Sequence, residues 1–425
     1  MTQQLTAELE KMGKRSREAA HQLAKTPTHL KNSALLNIAE ALVTRQDEVL
    51  AANKTDYDAG RRNGLSETLL DRLFLDQGRL ESMARDIRSV VNLGDPVGEE
   101  FDVRTLPNGL RLGRRRVPLG VVGAIYESRP NVTIDLASLC LKSGNAVILR
   151  GGSEAFNSNR ALAMLVRENL ELTGITPDSV QFVQDTNREL IGVLLSMRNY
   201  IDILIPRGGA DLIRRVADEA TMPVITGGIG VCHTYIDESA NTKMAVDIAY
   251  NAKVQRPTVC NALDTLLVHA QSAATQLPDI AAAWLKAGVE IHADHRAMRI
   301  LEPLENPRIL PADETDWGTE YLSLTVAVRI VDSLDEALDH IEKYGSGHSE
   351  VIVTDDYSNA HRFLNEVDAA VVFVNASSRF ADGAEFGLGA EVAISTGKMH
   401  ARGPMGLREL TSYKWTVLGT GQIRP

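Results

Sequence analysis

Cys260 is the residue best placed to act as a nucleophile. It stands in Gln255-Arg256-Pro257-Thr258-Val259-Cys260-Asn261-Ala262, between a helical stretch and an apolar strand over Leu263 to His269. Lys253 and Arg256 are close in sequence. Nearby cations lower a thiol pKa, and the thiolate is the attacking form. Such a thiolate captures an acyl group covalently and divides one hard step into two easier ones. The competing reading is an inert cysteine at the start of a core strand. The other two of the three cysteines, Cys140 and Cys232, fall in or beside apolar runs, where a thiol packs as a small hydrophobe. No Cys-x-x-Cys pair or metal-type spacing occurs, so neither a disulfide framework nor a metal site is expected.

A second chemistry is written in two strand ends that join glycine to a cation. They are Ile148-Leu149-Arg150-Gly151-Gly152-Ser153 and Ile205-Pro206-Arg207-Gly208-Gly209-Ala210-Asp211. Glycine lets backbone approach a phosphate, a helix N-terminus offers amide donors, and arginine adds a matching fork. No Gly-x-Gly-x-x-Gly fingerprint follows a strand. Gly227-Gly228-Ile229-Gly230 precedes the strand-like Val231-Cys232-His233 and reads as a crossing between domains.

These residues need a scaffold. Residues 1 to about 95 carry apolar positions at helical spacing, with glycine turns at Gly60 and Gly64. Phe101 to Val117 places Pro107-Asn108-Gly109 between two strand-like arms, a hairpin signal. That ribbon is too polar for a central strand and is expected to project and pair with another subunit. Arg111, Arg114, Arg115 and Arg116 read as a charged strand edge. From Val121, short apolar strands alternate with helical patterns: Val121 to Tyr126, Ala146 to Arg150, Val180 to Val183, Ile201 to Ile205 and Pro223 to Thr226. The rhythm resumes at Leu263 and predicts a second parallel α/β unit; Leu410 to Val417 is again strand-like. Ligands on such sheets gather beyond the carboxyl ends of the strands.

At 425 residues, more than one domain is expected. The net charge of −11 argues against a nucleic-acid partner. No apolar run is long enough to cross a bilayer, and the N-terminus lacks a signal-peptide core. A cytoplasmic protein with reduced thiols is the expectation.

In this order, the pieces resemble the aldehyde dehydrogenase superfamily, and within it the branch that reduces γ-glutamyl phosphate. The strings are Pro118-Leu119-Gly120-Val121-Val122-Gly123, Lys142-Ser143-Gly144-Asn145-Ala146-Val147-Ile148-Leu149 and Tyr126-Glu127-Ser128-Arg129-Pro130-Asn131-Val132-Thr133. Asn251 to Pro257, Lys343-Tyr344-Gly345-Ser346-Gly347-His348, Val374-Asn375-Ala376-Ser377 and Glu385 to Gly389 add to them. The resemblance implies an aldehyde-dehydrogenase-like α/β fold of two doubly wound domains plus a small β-ribbon for oligomerisation. It implies a cofactor-binding domain over 1–228, with 101–117 as the projecting hairpin. A catalytic domain over 229–390 follows, and 391–425 supplies a return segment and a C-terminal oligomerisation strand.

It also implies an oxidoreductase of proline biosynthesis. NADPH would reduce γ-glutamyl phosphate to glutamate-5-semialdehyde, with release of phosphate, through a thioester on Cys260. Arg150, Gly152 and Ser153 match the stretch that meets the adenosine ribose, and Arg207 and Gly208 the turn near the pyrophosphate. Glu320 matches the glutamate on the nicotinamide ribose, and Asn131 an oxyanion donor; the Asn131 alternative is a helix cap. The cations nearest the signature strings, Arg129, Lys253, Arg256 and Arg379, are candidates for the substrate carboxylate and phosphate, with solvated surface charge as the alternative. His348 is a candidate general acid or a turn histidine. A homo-oligomer is expected, with glutamate 5-kinase as a candidate partner.

Hydrolytic members carry a glutamate two residues before the glycine pair. Here that position is Ile225, followed by Thr226. Isoleucine accepts no proton, so water is not activated against the thioester. Two other readings stay open: an acylating dehydrogenase using coenzyme A, and a catalytically dead scaffold for the upstream kinase.

Overall fold

The computed structural model describes residues 2–225, 227 and 229–424. The chain divides into two compact units: Met1–Thr226 with Gly387–Ala393 and Pro404–Pro425, and Gly227–Phe386 with Ile394–Gly403. The chain passes from one to the other where the glycine-rich crossing was expected; Thr226 and Gly228 themselves lie outside the described residues. The segment 394–403 goes with the second unit, so the return path is shared between the two.

The first unit opens with helices Thr2–Leu23 (α1), Thr28–Thr44 (α2), Gln46–Arg62 (α3), Glu67–Leu73 (α4) and Gln77–Asn92 (α5). Gly60, read as a turn, lies inside α3, where an added Cβ would sit 2.8 Å from the Leu65 side chain. Strands Glu100–Thr105 (β1) and Arg111–Pro118 (β2) form the expected hairpin, with Gly109 at φ +84°. Its neighbour differs from the expectation. The tail strand Thr411–Leu418 pairs along the whole of β2, so β2 is the middle of a three-stranded sheet. The arginine run is therefore not an edge. The Arg114 guanidinium lies 4.6 Å from the Trp415 ring centroid and 4.8 Å from that of Tyr413, a cation–π arrangement.

Val121–Tyr126 (β3), Ala146–Gly151 (β4), Val180–Phe182 (β5) and Ile203–Arg207 (β6) form a parallel sheet ordered β5-β4-β3-β6. Asn131–Lys142 (α6), Phe156–Leu172 (α7), Glu189–Ser196 (α8) and Ala210–Glu219 (α9) connect or follow them. Both β3 and β4 are buried along their whole length, as a sheet covered on both faces requires. The strand expected at Pro223 to Thr226 reduces to one bridge from Val224 to Leu204. Several family-like strings prove structural. Lys142 is fully buried and donates to Asn32 Oδ1 and the Val91 carbonyl. Asn145 accepts from the Gly120 amide at 2.8 Å and donates to the Leu410 carbonyl at 2.8 Å. Tyr126 Oη and Thr133 Oγ1 lie 2.6 Å apart, inside the core.

The second unit holds Cys232–Ile236 (β7), Leu263–His269 (β8), Glu290–Ala293 (β9), Ile309–Pro311 (β10), Thr325–Val331 (β11), Ser349–Val353 (β12) and Val371–Val374 (β13). They make one parallel sheet ordered β10-β9-β11-β8-β7-β12-β13. Its helices are Thr242–Val254 (α10), Ala270–Lys286 (α11), His295–Leu301 (α12), Leu334–Tyr344 (α13) and Tyr357–Glu366 (α14). Period-two alternation sorts the core. Leu266 and Val268 join Leu277 and Trp284 in one cluster, while Leu267 between them joins Tyr235, Ile352, Leu334 and Phe363 in another.

Candidate active site

Each unit builds its own half of the chemistry. In the second unit, α10 ends at Val254, and Pro257, which has no amide hydrogen to give, stands in the turn that follows. Cys260 closes that turn at the amino end of β8, half-buried. This is the opposite end of the sheet from where the general rule for parallel sheets points. Cys140 and Cys232 are fully buried, and burial pushes both thiols well above the ordinary range. They stay protonated, which leaves Cys260 as the cysteine open to reagents.

The Cys260 turn is held from several sides. Cys232 Sγ donates to the Cys260 carbonyl at 3.2 Å. Gly230 passes so close that an added Cβ would lie 1.6 Å from that carbonyl oxygen. The Gly230 amide in turn donates to Glu320 Oε1 at 2.9 Å. On the far side, Asn261 Nδ2 donates to the Ala381 carbonyl at 3.0 Å, and Ser378 Oγ donates to the Asn261 carbonyl at 2.6 Å. The thiol therefore rides on a backbone fixed by three separate segments.

Arg379 brings a charge near this turn. Its Nε donates to Gln255 Oε1 at 2.8 Å. Burial, and then the neighbouring Arg256, push the guanidinium down from its ordinary value, while Asp382 and the sulfurs of Cys260 and Cys232 act in the other direction. Arg379 thus stands within electrostatic reach of Cys260, where a cation favours the thiolate. Arg379→Ala is expected to slow alkylation of Cys260 by iodoacetamide at pH 7 by about tenfold, and Arg379→Lys to restore most of the rate. Mass spectrometry of the labelled protein measures both. An unchanged rate in the alanine variant removes Arg379 from this role.

The other expected residues fall into distinct places. Arg256 is exposed and near enough to Arg379 to push its guanidinium down. Lys253 is fully buried; its Nζ donates to the Leu263 carbonyl at 2.7 Å and lies 3.5 Å from Asp264 Oδ1. That amino group holds the start of β8 and is closed to a substrate. His348 is also fully buried, with Nδ1 2.8 Å from Ser349 Oγ and 3.8 Å from Cys232 Sγ. It supports the residue behind Cys260 and is enclosed where a general acid would need access.

In the first unit the carboxyl ends of β3, β4 and β6 lie side by side, since Tyr126 pairs with both Gly151 and Arg207. Arg150 is 6% exposed there; its Nη2 donates to the Thr186 carbonyl, while its Nε has no hydrogen-bond partner. A buried guanidinium edge left unpaired is costly unless an acceptor arrives. Ser153 is exposed next to it. At the start of α9 the Gly209 amide donates to Glu127 Oε2 at 2.9 Å, and a Cβ on Gly208 would lie 2.4 Å from the same oxygen. A carboxylate thus already marks an anion position at this helix N-terminus. Arg150, Gly152, Ser153, Arg207 and Gly208 fit an anionic nucleotide on these observations. Asn131 begins α6, but its side chain does not cap the helix; Nδ2 donates to Asp135 Oδ2 at 3.0 Å. Burial, and then Asp86, push the Asp135 carboxyl up to about 7. Ser128, at φ +44°, sends its amide and hydroxyl to Glu154 Oε1, which braces the loop carrying Arg129. Ile225 is buried and its amide donates to the Leu204 carbonyl, so its position offers no base.

The residues that sequence reasoning passed over are Cys232, Asn261, Ser378, Gly230 and Glu127. Gly230, Glu127, Asn261 and Cys232 stand within strings the sequence singled out, without a role there; Ser378 carried no signal.

The aldehyde dehydrogenase family model matches residues 1–297. A γ-glutamyl phosphate reductase of Dehalococcoides mccartyi is 56% identical over 417 residues, covering 98% of each chain. One of Roseiflexus castenholzii is 54% identical over 420 residues, covering 98% of this chain and 99% of the other. The crystal structure of γ-glutamyl phosphate reductase from Thermotoga maritima superposes with a TM-score of 0.95 at 48% identity, covering 98% of this chain and 100% of that one. No described helix is long and apolar enough to cross a membrane.

Proposed function

The chain belongs to the aldehyde dehydrogenase family, in its γ-glutamyl phosphate reductase branch, and from that premise we propose how its residues carry the reaction. It is an oxidoreductase that reduces γ-glutamyl phosphate in proline biosynthesis. The finer reading is a thioester route on Cys260, with NADPH as reductant and glutamate-5-semialdehyde and phosphate as products.

The Cys260 thiolate, favoured by Arg379, attacks the γ-carbonyl carbon. The carbon–oxygen bond to phosphate breaks, phosphate leaves, and a thioester remains on sulfur. NADPH, when bound, supplies the hydride that reduces this thioester. The thiohemiacetal on Cys260 then collapses, releasing the aldehyde and regenerating the thiolate. Each addition makes an oxyanion, for which the Cys260 amide and the Asn131 side chain are the proposed donors. Asp135 fixes the orientation of the Asn131 amide through the bond described above. Arg150, Gly152, Ser153, Arg207 and Gly208 would hold the nucleotide, and Glu320 its second ribose once released from the Gly230 amide. Arg129, Arg256 and Arg379 remain for the substrate's carboxylate and phosphate; Lys253 acts from within the core. The subunit would assemble as a homo-oligomer through the exposed side of the three-stranded sheet, where Trp415 is 48% exposed. Glutamate 5-kinase is the proposed supplier of substrate.

One observation carries this reading: a half-buried cysteine within electrostatic reach of a guanidinium, in a chain whose hydrolytic-base position is a buried isoleucine. The test is the reverse reaction, semialdehyde with NADP⁺, assayed with and without inorganic phosphate. Phosphate is expected to be required. Turnover with coenzyme A in its place would favour the acylating reading, and turnover with neither, yielding glutamate, would defeat the thioester-without-water account.

A further inference from the structure

Tyr321 reaches both flanks of the Cys260 turn from outside it. Its ring centroid lies 5.7 Å from Lys253 Nζ, in the last turn of α10, a cation–π contact. Its amide donates to Asp264 Oδ1 at 3.2 Å, on the second residue of β8. The turn that carries the nucleophile joins these two elements. Glu320, one residue earlier, accepts from the Gly230 amide, and Gly230 packs against the Cys260 carbonyl. One dipeptide therefore touches the entry to the turn, its exit and the backbone that presses on it.

The dipeptide is itself held from behind. Tyr321 Oη donates to Asp316 Oδ1 at 2.6 Å, and the same oxygen lies 2.7 Å from His292 Nδ1. His292 Nε2 lies 3.0 Å from Glu290 Oε1. Ionised carboxylates only accept, so the doubly protonated ring alone satisfies both of its nitrogens. The bond from His292 to Asp316 is then charge-assisted, which makes it one of the stronger kind. Asp316 Oδ2 accepts from the Asp313 amide at 2.7 Å, which closes the segment on itself. Leu322, next in the chain, has φ +49°, a left-handed backbone that is uncommon for leucine. Such strain persists only where the surroundings over-determine it, and it gathers at functional sites.

We propose that Tyr321 is a positioning residue for the reaction: it fixes the Cys260 turn at both ends, while Asp316 and His292 fix its phenol. The ring and the amide set where the turn lies, and the neighbouring Glu320 sets how closely Gly230 approaches it. This deepens the assignment of Cys260 as the nucleophile and rests on it. Tyr321 acts through the turn, so its loss belongs in kcat and leaves KM largely untouched.

The test uses the full chain and two measurements: phosphate-dependent oxidation of the semialdehyde by NADP⁺, and the rate constant for alkylation of Cys260 by iodoacetamide. Tyr321→Ala is expected to lower kcat by about tenfold or more, with each KM within about twofold of the parent. Its alkylation rate constant at pH 7 is expected to fall about fivefold, as the thiol drifts from the cations near it. Loss of folded protein alone would lower the labelled fraction and leave that rate constant unchanged. Tyr321→Phe keeps the ring and the amide and loses only the bond to Asp316; a fall in kcat of about threefold is expected, with a slower alkylation to match. His292→Ala, which frees Asp316 from the other side, should fall in the same range. If Tyr321→Ala fails to fold, Tyr321→Phe decides alone. An unchanged alkylation rate constant in the deciding variant, or a loss of rate carried by KM, would overturn the proposal. The alkylation needs no turnover, so a failure of the Cys260 route is told apart: it would appear as turnover kept by Cys260→Ala, whatever happens at Tyr321.

Discussion

Replacing Cys260 with alanine is expected to abolish turnover, lowering kcat by about four orders of magnitude or more, as removal of a covalent nucleophile does. Nucleotide binding and the thermal transition should stay close to those of the parent. The reason is local. The Cys260 backbone is anchored through its carbonyl and through Asn261, and none of those bonds uses the Cys260 sulfur. The side chain is half-buried, so a smaller residue leaves little cavity. Steady-state rates, equilibrium titration with NADPH and a melt on the same preparation separate the three quantities. Trapping during turnover adds a direct check, since the acyl group should be found on the Cys260 peptide. A variant that keeps its full rate would remove the covalent route, and one that loses nucleotide binding as well would show a folding defect instead.

Gly230→Ala is expected to be nearly as damaging, although it touches no substrate. Its added methyl would meet the Cys260 carbonyl oxygen at 1.6 Å, the carbonyl carbon at 2.5 Å and Cα at 2.9 Å. All three are backbone atoms, so no side chain can swing aside. Either the Gly230 strand entry or the Cys260 turn must move by an ångström or more. Displacement of that size at a reacting group costs about a hundredfold in rate. Forced overpacking adds a loss of stability of about 1–3 kcal/mol. The fair control is Gly192→Ala in α8, where an added Cβ meets nothing within 4 Å. That variant should match the parent or exceed it slightly in Tm, because alanine is the better helix former. Equal behaviour of the two variants would mean that the close approach at Gly230 does not govern the nucleophile.

The helices and strands were legible because their causes are local. Periods of 3.6 and 2 in apolar residues, with Gly, Pro and Asn-Gly punctuation, marked most elements within a few residues. The exceptions are informative. The arginine run in β2 looks like a charged edge until the tail strand, from the other end of the chain, covers it. Gly60 looks like a turn until its packing against Leu65 is seen inside a helix. Pro223 to Thr226 has strand-like residues but only one bridging partner at Val224. In each case a distant or crowded neighbour outvotes the local preference.

For the site, the sequence alone determined the chemical parts: one cysteine outside the apolar runs, two arginine-glycine strand ends, and isoleucine where a hydrolytic member carries its base. These are statements about residue types in short windows, and short windows hold them. Only the tertiary structure decided which cations come near the thiol. Lys253 and Arg256 are nearest along the chain, yet Lys253 is spent on the Leu263 carbonyl, and Arg379, far downstream, comes within electrostatic reach of Cys260. It likewise decided that Cys232, Gly230 and Ser378 hold the nucleophile's backbone, and that Glu127 stands at the amides of the α9 turn. Charge and hydrogen bonding act through space over a few ångströms, and which groups come that close is set by how distant segments pack, not by their order along the chain.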